Sequence, residues 1–372
     1  MHKVTQAIHA SMEEAGDNSA IVPPVHRSTI YEIDERGHQE ENWHYTRLGN
    51  PNRKQWERVL STMEEGAGAA AFSSGVAAAS AVFQSLNPGD HVIIPDDVYA
   101  GNRELVKQIM KPWGLQADFV NMSDTDELET CINDQTKLIW IETPSNPLMR
   151  ISDIEKICRI AHQQNITVCV DNTWPTPINQ LPLKLGADLV LHSTTKYFGG
   201  HSDILGGAIV TRKENQFFER IRRVQRIGGA VPSPEDCWRL SRSTRTLPYR
   251  MRGHNENAKR LADFFQKHPK VAEVFYPGLS SHDGFETAQK QMSGFGGMIS
   301  FLVDGDREEA LKIVSGAQLI SRATSLGGVE STWEHRRSSV GEDSRAPENM
   351  IRISVGLEHP EDLMEDLEQA FE

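Results

Sequence analysis

One lysine, Lys196, lies on a polar loop that follows an apolar run in the segment LVLHSTTKYFGGHSDILGG (189–207). A lysine in this setting can form a Schiff base with an aldehyde cofactor, and the hydroxyls of Ser193 and Thr195 can hold that cofactor's phosphate. A single lysine is more often a solvated surface charge, so the segment alone leaves both interpretations open. Its chemistry depends on which other residues the fold brings to it.

Other polar residues also come directly after apolar runs. The turn SSGV (73–76) opens an alanine-rich helix pattern whose amides and dipole can bind a phosphate, although an ordinary helix cap explains the same serines. Asp171 ends the run TVCVD and can either pair with a protonated pyridine nitrogen or cap the following segment. Tyr99 can stack on a flat ring or cover a helix end. Pyridoxal 5′-phosphate is one cofactor that would use all of these groups.

These positions need a sheet that brings the ends of several strands together. Many of the apolar runs are continuous, as in strands buried on both faces of a parallel sheet, and helical patterns at 101–111 and 153–164 separate them. The predicted strands are 69–72, 91–95, 117–121, 138–142, 167–171, 189–193 and 207–211. In an open parallel sheet, ligands bind beyond the carboxyl ends of the strands, so these polar residues should converge.

The pattern changes near both ends of the chain. Residues 1–50 lack the alternation and are rich in Pro, His and aromatic residues, which predicts an arm with nothing of its own to pack against. Residues 51–246 form the predicted cofactor domain, and residues 247–372 a smaller α+β domain. Within the smaller domain we expect a helix at 258–268, a strand at 273–276, a strand in FGGMISFLV and a final acidic helix at 360–371.

Composition argues against several classes of function. The 372-residue chain is 38% hydrophobic and 24% charged, the balance of a globular protein. Its formal net charge of −13 argues against a nucleic-acid partner, because binding phosphate backbones needs clustered Lys and Arg. No run of about 18 apolar residues occurs, which predicts no membrane partner. The four cysteines lack CxxC spacing and no metal-ligand pattern is present, so we predict a cytoplasmic protein without a metal.

These motifs, taken in order, resemble those of the Cys/Met-metabolism family of pyridoxal-phosphate enzymes. That family includes cystathionine γ-synthases, γ-lyases and β-lyases, methionine γ-lyases and homoserine-ester sulfhydrylases. The resemblance runs nearly end to end and rests on YTRLGNP (45–51), SSGV (73–76), Tyr99, ETPSNP (142–147), DNT (171–173), STTKY (193–197), SLGG (325–328) and RISVG (352–356). It implies an α/β fold of the aspartate-aminotransferase type (fold type I), with a mostly parallel seven-stranded sheet and a smaller C-terminal α+β domain.

The resemblance also assigns residues to the cofactor. Lys196 would carry the Schiff base, Asp171 would pair with the pyridine nitrogen, and Tyr99 would stack on the ring. The remaining cofactor-binding residues that it implies are Ser74, Gly75, Val76, Ser193 and Thr195 at the phosphate, and Asn146 near the ring hydroxyl. Tyr45 and Arg47 reach the phosphate of a neighbouring subunit in relatives, which implies a homo-oligomer, a tetramer built from dimers that share active sites.

The implied substrate is a small amino acid whose carboxylate Arg352 grips as a bidentate fork, near Ser325 and Asn146. Tyr99 or Tyr45 could act as the acid or base for the leaving group. Relatives that act on cystathionine usually carry acidic residues where this chain has Thr324 and His44, so a cationic distal amine is less favoured here. Methionine γ-lyases typically carry Cys where this chain has Gly101. The stretch EHRRSS (334–339) replaces a family segment that borders the substrate pocket.

The expected reaction is γ-elimination or γ-replacement on a sulfur-containing or O-acylated homoserine-type amino acid, with cystathionine as the nominal substrate. The alternatives within the family are a cystathionine β-lyase, a methionine or homocysteine γ-lyase, an O-acylhomoserine sulfhydrylase, or a γ-replacement enzyme of a specialised pathway. Two alternatives come from other classes of protein. One is a non-catalytic binding protein on this fold, and the other is a dinucleotide-dependent enzyme suggested by GAGAAAF (66–72), whose glycines precede the strand instead of following it.

Overall fold

The computed structural model of the protein describes residues 1–12, 20–33, 35, 43–341 and 345–372. Its helices, numbered in chain order, are α1 (Lys3–His9), α2 (Pro51–Glu64), α3 (Gly75–Phe83), α4 (Ala100–Glu104), α5 (Lys111–Trp113), α6 (Thr125–Cys131), α7 (Ile154–Gln163), α8 (Thr176–Asn179), α9 (Gln216–Gly228), α10 (Pro234–Thr244), α11 (Leu247–Phe265), α12 (Phe285–Gln291), α13 (Arg307–Gly316), α14 (Arg336–Val340) and α15 (Pro360–Phe371). A π-helical segment, Leu105–Met110, connects α4 to α5. In the described part of the chain, no helix combines the length and apolar character needed to cross a membrane.

The larger sheet contains seven strands within the described residues. They are β1 (Gly68–Phe72), β2 (His91–Pro95), β3 (Gln116–Val120), β4 (Thr136–Glu142), β5 (Thr167–Asp171), β6 (Leu189–His192) and β7 (Gly207–Thr211). Their order is β1-β7-β6-β5-β4-β2-β3, and only the pairs that involve β7 are antiparallel. The mostly parallel seven-stranded sheet predicted from the sequence is therefore confirmed, with strand ends that differ by at most two residues.

The continuous apolar runs are buried on both faces of this sheet. Along β4, Leu138 and Trp140 belong to one hydrophobic cluster, whereas Ile139 and Ile141 belong to another. Successive side chains of a strand point to opposite faces, so each cluster lies on one side of the sheet. Helices cover both faces, which explains why alternation of polar and apolar residues is missing from these strands.

A second sheet of five strands lies in the C-terminal part of the described chain. It consists of β8 (Val271–Phe275), β9 (Met298–Val303), β10 (Ser321–Arg322), β11 (Thr332–His335) and β12 (Met350–Ser354), in the order β10-β11-β12-β9-β8. All of its strand pairs are antiparallel except β10 with β11. The domain boundary near residue 246 stays a prediction.

The helix expected at 258–268 is longer in the structure and begins at Leu247. Its first half buries Arg250 and His254, whose polar side chains conceal the apolar pattern of that face. Both are held by backbone carbonyls, because Arg250 donates to Tyr197 O at 2.5 Å and the His254 Nδ1 lies 2.8 Å from Val355 O. The hydrogen bonds satisfy the buried polar groups, which makes a helix possible there.

The N-terminal arm packs on its own chain, so the expectation that it has nothing of its own to contact is wrong for the described residues. Ala7 and Ala10 are buried beside α2 in the same hydrophobic cluster as Trp56. Farther along, Trp238 Nε1 donates to Pro23 O at 2.8 Å. The sequence signal for this packing is weak, because alanine side chains are small and contribute little to a hydrophobic pattern.

Candidate active site

A cavity opens where the carboxyl ends of the parallel strands face the smaller sheet. The large-sheet wall of this cavity is defined by Ser74, Gly75, Val76, Asn146, Asp171, Ser193, Thr195 and Lys196. The small-sheet wall is defined by Thr324, Ser325, Leu326, Arg336 and Arg352. About 990 Å³ of empty space lies between them, including the open mouth. The residues that the sequence placed at strand ends therefore line one cavity of a size common for small-molecule sites.

Lys196 spans the two walls. Its Nζ donates to Ser325 Oγ at 2.5 Å, and Ser325 has a left-handed backbone with φ 82°. Non-glycine residues with positive φ often mark functional sites, because the surrounding structure must hold them there. Burial, followed by the charges of Arg352 and Arg336, lowers the pKa of Lys196 to about 8. The amine is therefore neutral in an appreciable fraction of molecules near neutral pH.

The turn before α3 lies against the loop of Lys196, where the two could form an anion site. Ser74 Oγ accepts from the Ala77 N–H at 3.1 Å, so the helix-cap interpretation of this serine is correct. The same cap leaves the first helical amides, those of Gly75 and Val76, facing outward. A Cβ on Gly75 would lie 2.8 Å from Ser193 Cβ, so only glycine allows this close approach. One turn can therefore both cap α3 and present amides to an anion.

Thr195 connects the loop of Lys196 to the backbone of Gly206. Its hydroxyl donates to Gly206 O at 3.2 Å and accepts from the Gly206 N–H at 3.0 Å. This exchange fixes the backbone of residues 193–196 against the start of β7. The hydroxyl-rich segment is therefore preorganised beside the N-terminus of α3, as an anion site requires.

Asp171 is buried at the end of β5, where its Oδ1 accepts from the Thr173 N–H at 3.0 Å. Glu142 is its register partner on β4, and its Oε2 accepts from the Tyr99 N–H at 2.9 Å. Burial raises the pKa of both carboxyl groups, and the charge of Asp171 raises the pKa of Glu142 further. Two adjacent buried carboxyl groups therefore resist carrying two negative charges at once.

His192 and Glu64 form a buried hydrogen-bonded pair near Asp171. His192 Nε2 lies 2.6 Å from Glu64 Oε1, and both side chains are fully buried. Glu64 Oε1 also accepts from Asn172 Nδ2 at 2.8 Å, so the pair is connected to the residue that follows Asp171. Sequence reasoning missed this pair, since 128 residues separate its members. The available sequence signal for the pair was an acidic residue, Glu64, at the end of the helix α2.

Arg352 presents its guanidinium from β12 into the cavity. Nη1 donates to Asn146 Oδ1 at 3.0 Å, and Nη2 donates to Ser325 O at 3.2 Å and to Glu334 Oε1 at 2.5 Å. Burial lowers the pKa of Arg352 to about 10, so it stays protonated at neutral pH. A charged fork held by neighbours on both sheets can bind a carboxylate in one orientation.

Arg336 and Glu334 were predicted only as part of the loop 334–339 and prove to be central to the small-sheet wall. Arg336 Nη1 donates to Glu334 Oε1 at 2.8 Å, so one carboxylate oxygen serves two guanidinium groups. Burial opposes ionisation of Glu334, but Arg352 and Arg336 hold its pKa below the ordinary value. The stretch EHRRSS places basic residues beside Glu334, but the sequence does not show which of them pair with it.

Tyr99 lines the cavity next to Gly101, and 42% of its surface is exposed. A Cβ on Gly101 would lie 2.6 Å from Cε1 of the Tyr99 ring. The absence of a side chain at this position therefore lets the ring lie over the backbone of α4. A larger residue at 101 would move the ring and reshape this side of the cavity.

Three predicted site residues do not line the cavity of their own chain. Tyr45 is 36% exposed, and the Arg47 guanidinium lies 5.3 Å from the centre of its ring. Arg47 Nη1 also donates to Arg226 O at 2.7 Å. His44 lies beside Tyr45 in the same segment. A single chain brings together the other predicted site residues but leaves these three outside the cavity that the structure describes.

Comparison with known proteins agrees with the geometry. Residues 4–372 match the family described as Cys/Met metabolism PLP-dependent enzyme. The chain is 44% identical to a cystathionine γ-synthase of Mycobacterium tuberculosis, over 99% of this chain and 96% of that protein. It is 40% identical to a cystathionine γ-lyase of Bacillus subtilis, over the full length of both. The solved structure of a cystathionine γ-synthase from Xanthomonas oryzae superposes with a TM-score of 0.96 at 35% identity, covering 100% of this chain and 98% of that one.

Proposed function

This chain belongs to the Cys/Met metabolism family of PLP-dependent enzymes, and from that premise we propose that it catalyses γ-elimination or γ-replacement on a homoserine- or homocysteine-derived amino acid. Cystathionine is the nominal substrate or product. The observation that carries the proposal is that Lys196, Asp171 and Arg352 line one cavity. When bound, pyridoxal phosphate supplies an electron sink for negative charge that develops at the α-carbon of an amino acid.

The residues of the large-sheet wall fit this cofactor. Lys196 would bond to its aldehyde, and Asp171, buried at the end of β5, would pair with its ring nitrogen. Its phosphate would be held by the hydroxyls of Ser193 and Thr195 and by the amides of Gly75 and Val76. The contact between Gly75 and Ser193, which leaves no room for a Cβ, supports this assignment, because it brings amide and hydroxyl donors to one anion.

The remaining roles follow from the chemistry of the side chains. Arg352, near Asn146 and Ser325, would orient the α-carboxylate of the substrate, so that its α-hydrogen faces Lys196. A neutral Lys196 amine can accept that proton and return it to another atom of the substrate within the same cavity. Tyr99, and Tyr45 of a second copy, would serve the leaving group as acid or base. Thr324 and His44 would contact the far end of the substrate.

The three site residues outside the cavity support a homo-oligomer. Tyr45 and Arg47 are exposed on the arm, where they could reach the cofactor phosphate of a neighbouring copy, in a dimer or a tetramer built from such dimers. Co-expression of a Lys196→Ala chain with a Tyr45→Phe/Arg47→Ala chain tests this idea. Mixed dimers should regain activity at one site, whereas shared sites are excluded if no activity returns in assembled oligomers. The cytoplasmic location stays a prediction.

A substrate panel tests the reaction type. The purified holoenzyme would be assayed with cystathionine, homocysteine, methionine and O-acylhomoserines, with and without a thiol, by following 2-oxo acid and cystathionine. We expect turnover of at least one γ-substituted substrate. Activity confined to β-substituted substrates would overturn the γ assignment in favour of a β-lyase, a second candidate because a cystathionine β-lyase of Coxiella burnetii is 41% identical over 100% of this chain.

A further inference from the structure

Arg250 is a buried cation on α11 that lies outside the active-site cavity. It is 6% exposed, and burial lowers its pKa to about 10, so the guanidinium stays charged at neutral pH. In the part of the chain that the structure describes, no carboxylate pairs with it. A buried charge without an acidic partner destabilises a fold, which makes Arg250 a candidate for a functional role.

The guanidinium binds backbone oxygens around the loop of Lys196. Nη1 donates to Tyr197 O at 2.5 Å, and Nη2 donates to Ser243 O at 3.1 Å. The Ser243 hydroxyl donates in turn to Gly199 O at 2.6 Å. Arg250 and Ser243 therefore hold two carbonyls that follow Lys196 directly, which fixes the orientation of these peptide groups.

The turn after Lys196 lies directly against this guanidinium. The Gly200 N–H donates to Lys196 O at 2.8 Å, which closes the turn. Gly200 has a φ of 72°, and a Cβ at this position would overlap Nη1 of Arg250. Glycine allows both the left-handed backbone and the close approach. The turn is therefore shaped to rest on the Arg250 side chain.

The loop that carries Ser325 holds the backbone of Lys196 from another direction. Gly327 has a φ of 79°, and a Cβ there would lie 2.8 Å from Tyr197 N and 3.1 Å from the carbonyl carbon of Lys196. In the same loop, Ser325 Oγ accepts from Lys196 Nζ. The direction of the Lys196 side chain therefore depends on contacts with this loop and with Arg250.

We propose that Arg250 is a positioning residue that directs the Lys196 amine toward the α-hydrogen of a bound amino acid. The inference rests on the proposed function, in which Lys196 Nζ accepts the α-proton and returns it. Proton transfer requires that Nζ lie close to the α-carbon in the right direction, so a small rotation of the Lys196 backbone would slow it. Amino-acid binding should change little, because the α-carboxylate is assigned to Arg352.

Exchange of the α-hydrogen of L-norvaline in heavy water tests the position of the amine. This amino acid has no leaving group, so exchange needs only removal of the α-proton by Lys196 Nζ and return of a deuteron to the same carbon. Proton NMR would give the rate per bound cofactor in the parent holoenzyme, Arg250→Met and Arg250→Lys. We expect Arg250→Met to lower this rate by about 10- to 100-fold, with the apparent Kd for norvaline changed by less than about threefold. Arg250→Lys should recover part of the rate, because an ammonium can bind one of the two carbonyls.

Arg222→Met is the matched control, because Arg222 Nη1 also donates to a backbone carbonyl, Ala69 O, at 2.7 Å, outside the loop of Lys196. It should keep the parent's exchange rate. A rate within about threefold of the parent in Arg250→Met would overturn the inference. Equal losses of rate and of norvaline affinity would also overturn it, because they would show a general disturbance of the cavity.

Ser243→Ala gives a second test that holds even if Arg250→Met does not fold. It removes only the hydroxyl that holds Gly199 O, so the exchange rate should fall by about three- to tenfold, roughly the effect of one hydrogen bond. An unchanged rate in both Ser243→Ala and Arg250→Lys would overturn the inference.

The exchange reaction also separates this inference from the proposed function. An unchanged rate in Arg250→Met, alongside turnover of γ-substituted substrates, would overturn the inference alone. A reduced rate in Arg250→Met would support the inference even if the substrate panel shows turnover of β-substituted substrates only.

Discussion

The two walls of the active-site cavity differ in how their residues are fixed. On the large-sheet wall, Asp171 and Lys196 follow strands whose backbones pair in one register, so their positions are set by the sheet itself. On the small-sheet wall, Arg352 is set by the register of β12 with β11, but Arg336 lies outside the sheet and is tied to Arg352 by a shared side chain, Glu334. A position set by backbone pairing is kept when side chains change, whereas the position of Arg336 depends on the Glu334 side chain itself. We infer that the first wall retains the cofactor chemistry and that the second is where substrate preference varies.

Lys196→Ala should produce the largest effect, because it removes the amine of the large-sheet wall that we propose bonds to the cofactor and moves protons. We expect turnover of any substrate to fall by at least about 10⁴-fold. Steady-state assays measure this loss, and exposed Lys213→Ala is the control that should remain active. Activity within tenfold of the parent would remove Lys196 from the chemistry.

Arg352→Lys tests the small-sheet wall with the charge preserved. Lysine cannot reproduce a fork that contacts Asn146, Ser325 and Glu334 together, so kcat/KM should fall by about 10- to 100-fold for all amino-acid substrates. The cofactor absorbance should stay unchanged, since we assign the cofactor to the other wall. A loss of bound cofactor instead would contradict the division between the walls. Arg260→Lys, in a surface pair with Glu361, is the control.

Gly75→Ala should weaken cofactor binding at the large-sheet wall and leave the small-sheet wall unchanged. The new Cβ would lie 2.8 Å from Ser193 Cβ and must push the hydroxyl loop away from the amides of α3. We expect about tenfold weaker retention of the cofactor, roughly one charge-assisted hydrogen bond. Dialysis followed by absorbance measures it, with Gly228→Ala as a control whose Cβ meets only Val224 at 3.9 Å. Unchanged retention would show that the loop and the helix do not share an anion.

The pH dependence of cofactor incorporation tests the large-sheet wall without any substitution. Because the pKa of Lys196 is lowered to about 8 and only the neutral amine reacts, the rate should rise by about tenfold per unit below pH 8 and level off above it. An ordinary lysine would continue to gain rate to about pH 10. Stopped-flow absorbance of cofactor-free protein mixed with pyridoxal phosphate distinguishes the two profiles. A rate that still rises tenfold between pH 9 and 10 would contradict the lowered pKa.

Much of this arrangement could be predicted from residues close in sequence. The run TVCVD predicted both the strand β5 and the position of Asp171 at its end, because a continuous apolar run must be buried and a carboxylate there needs a partner, either a ligand or a backbone amide. The turn 73–76 likewise predicted both a helix start and an anion site. By contrast, α11 was predicted to begin eleven residues late, since Arg250 and His254 on its buried face interrupt the apolar period.

The sequence by itself determined the family, the order of the strands along the chain and the residues at their carboxyl ends, because these depend on local patterns and on short motifs. Only the tertiary structure decided which charges share a partner. Glu64 meets His192 and Glu334 meets both Arg336 and Arg352 through contacts between separate elements. The pKa of Lys196 is likewise set by burial and by guanidinium groups more than a hundred residues away. Electrostatic energies depend on distance in space and on exclusion of water, and a linear sequence contains neither.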